Sequence, residues 1–205
     1  MSRKYNLFGL LLSISAFFSI SAETPTPSGL EFCTVCHGSQ LKGNQNIGAP
    51  RLSDLAPWYI ERQLQNFKLG LRGVHADDVT GAEMRAMVSN FSEQELIEIA
   101  NWVSQTQSPL PAPSFEASVQ AGQKLYQSCA ACHGAQGEGN QLLGAPALAG
   151  LNDWYLVKQL NHFRLGLRGS NTADSYGQQM KAASSILGSE QDVANVAAYI
   201  NQLKH

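Results

Sequence analysis

The reactive side chains of this sequence gather in two short segments. All four cysteines fall in Cys33-Thr-Val-Cys36-His37 and Cys129-Ala-Ala-Cys132-His133. In a helical turn, residues i, i+3 and i+4 share one face, so each segment presents two thiols and an imidazole on the same side. Two thiols so placed add to the two vinyl groups of a haem while the imidazole reaches its iron, and Cys-x-x-Cys-His is the attachment pattern for that chemistry. Disulfides in an exported chain, zinc held by thiolates or a redox dithiol would also use paired cysteines. None of these requires a histidine directly after both second cysteines. The reading is two covalently bound haem c groups, attached at Cys33, Cys36, Cys129 and Cys132, with His37 and His133 as metal ligands.

The opposite axial ligands follow from an internal repeat. Residues 33–73 align without a gap on residues 129–169, an offset of 96, and 23 of the 41 positions are identical. Met84 and Met180 share that offset, each lying 51 residues after the first cysteine of its half, whereas Met87 is matched by Ala183. A low-spin haem takes Met or His opposite the proximal His. Met84 and Met180 are therefore the remaining metal ligands, and Met87 reads as core filler. His75, His162 and His205 have no histidine at the matching position, which points to surface or helix-face roles.

Positioning these groups falls to helices. Ile60, Leu64, Phe67 and Leu71 recur at helical spacing after Trp58-Tyr59, as do Leu156, Leu160, Phe163 and Leu167 after Trp154-Tyr155. Pro57 suits a helix start, and the glycines at 70, 73, 166 and 169 predict helix ends. Ser92-Glu-Gln-Glu95 is a capping box and Ser189-Glu-Gln-Asp192 a near match, each opening an apolar helix. There the offset becomes 97, which predicts one inserted residue after Met180. Phe115 to Ser128 reads as an amphipathic helix ahead of the second motif, while the first half has room for only a short leading helix or none. No strand pattern is visible, so the fold class is all-α.

Arg3 and Lys4, then an apolar run over 7–20, then small residues, form the layout of a signal peptide at 1–22. An uncleaved membrane anchor would need about 20 apolar residues, more than this run offers. The remaining organisation reads as a first domain at 23–104, a linker at 105–114 with prolines at 109, 111 and 113, and a second domain at 115–205. Residues 28–104 carry 6 basic and 9 acidic side chains, and residues 115–205 carry 6 of each. Such a balance offers nothing to nucleic acid.

With the paired haem motifs, the Gly-Ala-Pro segments at 48–50 and 144–146, the Gly-Leu-Arg-Gly segments at 70–73 and 166–169 and the methionine positions, the sequence resembles the dihaem cytochrome c4 family. The resemblance covers the mature chain and implies two tandem class I cytochrome c domains, each wrapped around one haem. It implies that Pro50 and Pro146 lie beside the proximal imidazoles, each with a backbone carbonyl accepting the ring N–H. It gives Arg72 and Arg168 a role toward haem propionates or the domain interface; a solvent-facing role competes with both. The implied activity is single-electron transfer in a periplasmic respiratory chain. The implied partners are a quinol-oxidising complex and a terminal oxidase, or a dehydrogenase in which this chain is the cytochrome subunit, with peripheral membrane association compatible with either. A dihaem peroxidase would need a displaceable ligand, against which the matched Met84 and Met180 argue.

Overall fold

The computed structural model describes residues 25–203; the expected signal peptide and His205 lie outside the described residues. Among the described residues there are eight α-helices and no strand, only the isolated bridges Asn44–Ala49 and Asn140–Ala145. No helix among them is long and apolar enough to cross a membrane.

Each half uses four helices. The first has α1 (Glu31–His37), α2 (Pro57–Lys68), α3 (Val79–Val88) and α4 (Glu93–Gln105); the second has α5 (Val119–His133), α6 (Asp153–Arg164), α7 (Ser175–Ser184) and α8 (Glu190–Gln202). Pro57 occupies the first turn of α2, where its missing N–H would be unpaired anyway. Gly70 and Gly166, at φ 68° and 76°, turn the chain just beyond α2 and α6. Ser92 and Ser189 both form complete capping boxes, with Glu95 and Asp192 reaching back.

The apolar stripe of α2 packs on α4 and that of α6 on α8. Ile60, Leu64 and Phe67 are buried with Leu96, Ile99 and Val103; Leu156 and Phe163 are buried with Val193, Val196 and Ile200. Burial of such a side chain contributes about 1.5–3 kcal/mol. Leu71 and Leu167 lie past their helix ends and are only half-buried, so each stripe ends one residue short of its sequence pattern. The inserted residue of the second half falls in the turn after α7: residues 89–92 separate α3 from α4, whereas 185–189 separate α7 from α8.

The halves part at their leading helices. The helix expected over 115–128 starts instead at Val119, because Ser118 caps it and Ser114 is already committed to Asp153 through its backbone N–H and hydroxyl. It then runs 15 residues and packs along α8, whereas α1 has 7 residues. The segment between α4 and α5 is extended and held at both ends. Ser108 meets Arg51 and Ser53 of the first half, and Asn201 of α8 donates to the Pro111 carbonyl.

Candidate haem sites

Each Cys-x-x-Cys-His segment forms the last turn of its leading helix, and each histidine is the final helical residue. Gly38 and Gly134, at φ 78° and 81°, stop the helix there. The chain then loops back and closes on the helix end, with Gly43 N donating to His37 O at 2.7 Å and Gly139 N to His133 O at 2.8 Å. This return brings the Pro50 carbonyl 2.7 Å from His37 Nδ1 and the Pro146 carbonyl 2.8 Å from His133 Nδ1. A proton on Nδ1 donates to the carbonyl, which leaves the Nε2 lone pair free and fixes the ring plane. Burial pushes both imidazoles below their ordinary pKa against the opposing pull of those carbonyls, so the neutral, ligating form is favoured.

The methionines come from α3 and α7. Asp78 caps α3 by accepting from Gly81 N at 3.0 Å, and Asp174 caps α7 by accepting from Gly177 N at 2.9 Å. Both glycines are required: a Cβ on either would overlap the capping carboxylate. Met180 Sδ faces His133 Nε2 at 3.5 Å. Met84 lines the cavity that holds His37, whose buried Nε2 has no protein partner. Met87, expected as core filler, is 45 % exposed: it follows Met84 by one turn on the same face and reaches the cavity mouth.

Two cavities receive these groups, of about 1380 Å³ in the first half and about 1350 Å³ in the second, mouths included. Leu55, Ile60, Leu64, Phe67 and Val103 wall the first; Leu148, Leu156, Phe163, Val196 and Ile200 wall the second. The paired cysteines sit on the rim of each. Burial raises the thiol of Cys33 to about 11 and also raises that of Cys129, so both are protonated while unattached.

The cavities share a wall. Tyr59, Gln63, Leu151, Tyr155 and Gln159 line both. Arg72 donates to Gln63 at 2.9 Å and across the interface to Tyr155 Oη at 2.9 Å and Gln159 at 3.1 Å. Arg168 mirrors it, donating to Gln159 at 2.8 Å and across to Gln63 at 2.7 Å. Both arginines are therefore buried braces between the halves, and the solvent-facing alternative is excluded. Burial alone would raise the Tyr59 phenol, but the guanidiniums of Arg168 and Arg72 outweigh it and hold it below its usual value. Tyr59, Tyr155, Gln63 and Gln159 were missed as functional residues. The available signal was that these polar side chains are identical in both repeats.

Among the other histidines, His75 is exposed beside Asp77. His162, expected in a surface or helix-face role, instead points across the interface to Asp78 at 3.5 Å.

These residues fit two haems. Each half has a buried imidazole nitrogen directed into an apolar cavity, a thioether on the same cavity, and two thiols at its rim. In the first half that nitrogen is an orphaned buried polar atom, which is costly unless a ligand occupies the cavity. The N and S donor set suits iron in a haem.

Comparisons agree with this geometry. The cytochrome c family model matches residues 30–107 and again 119–204. Cytochrome c4 of Azotobacter vinelandii is 32% identical over 83% of this chain and 84% of its own. The thiosulfate dehydrogenase electron acceptor of Stutzerimonas stutzeri is 30% identical over 93% of this chain and 89% of its own. The crystal structure of reduced recombinant cytochrome c4 from Pseudomonas stutzeri superposes with a TM-score of 0.70 and 28% identity, covering 85% of this chain and 95% of that one.

Proposed function

The chain belongs to the cytochrome c family, as a dihaem relative of the cytochromes c4, and from that premise we propose that it relays single electrons between periplasmic redox partners through two His/Met-ligated haems. The observation that carries this reading is the paired arrangement of His37 with Met84 and His133 with Met180, in cavities that share the Tyr59, Gln63, Tyr155 and Gln159 wall.

Bound haem supplies an iron that gains and loses one electron. His37 and His133 would offer it Nε2, each held in one tautomer by a proline carbonyl. Cys33, Cys36, Cys129 and Cys132 tether the ring edge. Met84 and Met180 would offer each iron a neutral thioether sulfur, and with those sulfurs engaged neither oxygen nor peroxide would bind there. Neutral ligands in an apolar cavity favour the lower-charged ferrous state and raise the potential. Arg72 and Arg168 are buried without a carboxylate among their hydrogen-bond acceptors, and their Nε–H groups have no protein partner. These donors suit the haem propionates and would brace both haems against one interface.

We assign delivery to a terminal oxidase, with a quinol-oxidising complex as the donor and the segment 1–22 as the export signal. A second reading, in which the chain takes electrons from a dehydrogenase, is supported by the relative named as a thiosulfate dehydrogenase electron acceptor.

Intact mass of the matured protein is expected to show two haem adducts, and the oxidised form a methionine–iron charge-transfer band. Met84→Ala and Met180→Ala each remove part of that band, and Met87→Ala leaves it whole. Loss of the band in Met87→Ala alone overturns the ligand assignment. Mixing the reduced protein with oxidase membranes, and the oxidised protein with a sulfur-compound dehydrogenase, separates the partner readings by rate. Peroxide turnover by the isolated protein would revive the peroxidase alternative.

A further inference from the structure

The two helices that carry Met84 and Met180 are each held at their first turn by a residue of the other domain. Lys158, on α6, donates to Thr80 Oγ1 in the first turn of α3 at 2.6 Å. Its repeat partner Arg62, on α2, lies 4.3 Å from the ring of Tyr176 in the first turn of α7 and donates to the Gly144 carbonyl at 2.7 Å. Gly144 has φ 66°, and a Cβ there would overlap the Tyr176 ring, so this corner is packed tightly. Thr80 and Tyr176 occupy matching positions, as do Lys158 and Arg62, so the two braces are symmetric in place and different in chemistry.

A second difference lies on the same helix faces. His162, on α6, sets Nδ1 3.5 Å from Asp78 Oδ1, the carboxylate that caps α3. The matching position on α2 is Asn66, which lines the second cavity and carries no charge. Both His162 and Asp78 are largely buried, with side chains 12% and 5% exposed. The groups facing His162 are Asp78 from the α3 cap, Lys158 from its own helix, and Arg72 and Arg168 from the turns after α2 and α6.

We infer that Arg62, Lys158 and His162 are positioning residues acting in trans: the second domain sets the Met84 helix and hence the first haem's potential, the first domain sets the Met180 helix, and only the first haem senses protonation of a buried histidine. The inference rests on the ligand assignment proposed above. Burial lowers the proton affinity of His162, Asp78 opposes that, and the three nearby cations add to the lowering, so the ring is neutral at pH 7. Its protonation below the ordinary value of 6.5 places a cation against Asp78. Added positive charge favours the ferrous state, so the first potential rises as the pH falls.

The test is a redox titration of the holoprotein, with the second wave identified by its drop in Met180→His. Lys158→Met is expected to shift the first wave and Arg62→Met the second, each mutation acting on the haem of the opposite domain. His162→Asn, which installs the residue found at the matching position, is expected to leave the two waves resolved and to abolish the acid-side rise of the first. Shifts that stay within the mutated domain, shifts of both waves together, or an unchanged pH profile in His162→Asn overturn the inference. Absence of two haems or of the methionine–iron band in the unmutated protein would instead overturn the ligand assignment beneath it.

Discussion

The second domain anchors its haem motif on a long helix and the first does not. In α5, Tyr126 is 2 % exposed, packs against Tyr199 of α8 with ring centroids 5.3 Å apart and planes tilted by 52°, and donates its hydroxyl to the Gly134 carbonyl just past His133. Tyr126 thereby links the turn after the motif to the C-terminal helix. In α1 the comparable aromatic contact is Phe32 on Phe91, 6.1 Å apart, with Phe91 sitting in the turn before α4. The first domain compensates through its neighbour. Arg51, matched by Ala147 in the second half, donates to Ser108 and to the Gly150 carbonyl, while its backbone N–H donates to Asn152 Oδ1 at 2.7 Å. One fold is therefore stabilised from within in one copy and from outside in the other.

The largest expected effect breaks the internal anchor. Gly122 lies where α5 crosses α8, and a Cβ there would overlap the Asn195 carbonyl oxygen. Gly122→Val is expected to cost about 3 kcal/mol, the upper end for overpacking, and to lower the unfolding temperature of the second domain selectively. Thr26, its repeat counterpart, lies outside any helix, so Thr26→Val is expected to change stability by less than about 0.5 kcal/mol. Calorimetry with the two haem bands as local probes checks both. Equal losses in the two variants would erase the distinction between the domains.

The next effect breaks the external anchor. Arg51 is 2% exposed and also donates to the Ser53 carbonyl and to Asp54 at 2.5 Å. Arg51→Ala leaves several buried acceptors unpaired, at a cost of about 2 kcal/mol. Limited proteolysis at 105–114 should then accelerate while the second domain's own melting stays put. An equal fall in both melting temperatures would show that the first domain does not depend on this contact more than the second.

The haem motifs, the Met84 and Met180 spacing, the serine caps at 92 and 189 and the Pro57 start of α2 were legible because each is local: a thiol, a cap or an apolar stripe acts within a turn or two of chain. A short α1 was expected because a signal segment at 1–22 would leave only residues 23–32 ahead of Cys33, with Pro25 and Pro27 among them. The interface was not. Arg72 and Arg168 stand in both repeats, but only packing across the halves decides that they donate to Gln63, Tyr155 and Gln159. His162 lacks a histidine counterpart and so read as a surface or helix-face residue. It faces Asp78, 84 residues away, a contact that local periodicity does not sense. The start of α5 was misplaced because the competing partner of Ser114 is Asp153, on another helix.

The smallest effect sharpens the comparison at a feature both copies share. Ser92 accepts from Glu95 N at 3.2 Å and Ser189 from Asp192 N at 3.1 Å, each opening the last helix of its domain. Ser92→Ala and Ser189→Ala are expected to cost about 1 kcal/mol each, so at neutral pH the caps do not distinguish the domains. The α4 cap adds an acid-sensitive contribution. Hydrogen bonds from the Ser92 side chain and backbone hold the Glu95 carboxyl below its ordinary value of 4.5. A carboxylate whose pKa falls on folding stabilises the native state above its unfolded pKa, and that contribution is lost as the pH drops through the folded value. The first domain's melting temperature should therefore decline below about pH 4.5 with a component that Glu95→Gln removes, since the amide keeps the shape without titrating. Melting curves from pH 6 to 3 on the Glu95→Gln and unmutated proteins check it, and parallel curves would show that the α4 cap carries no acid-sensitive share of the first domain's stability.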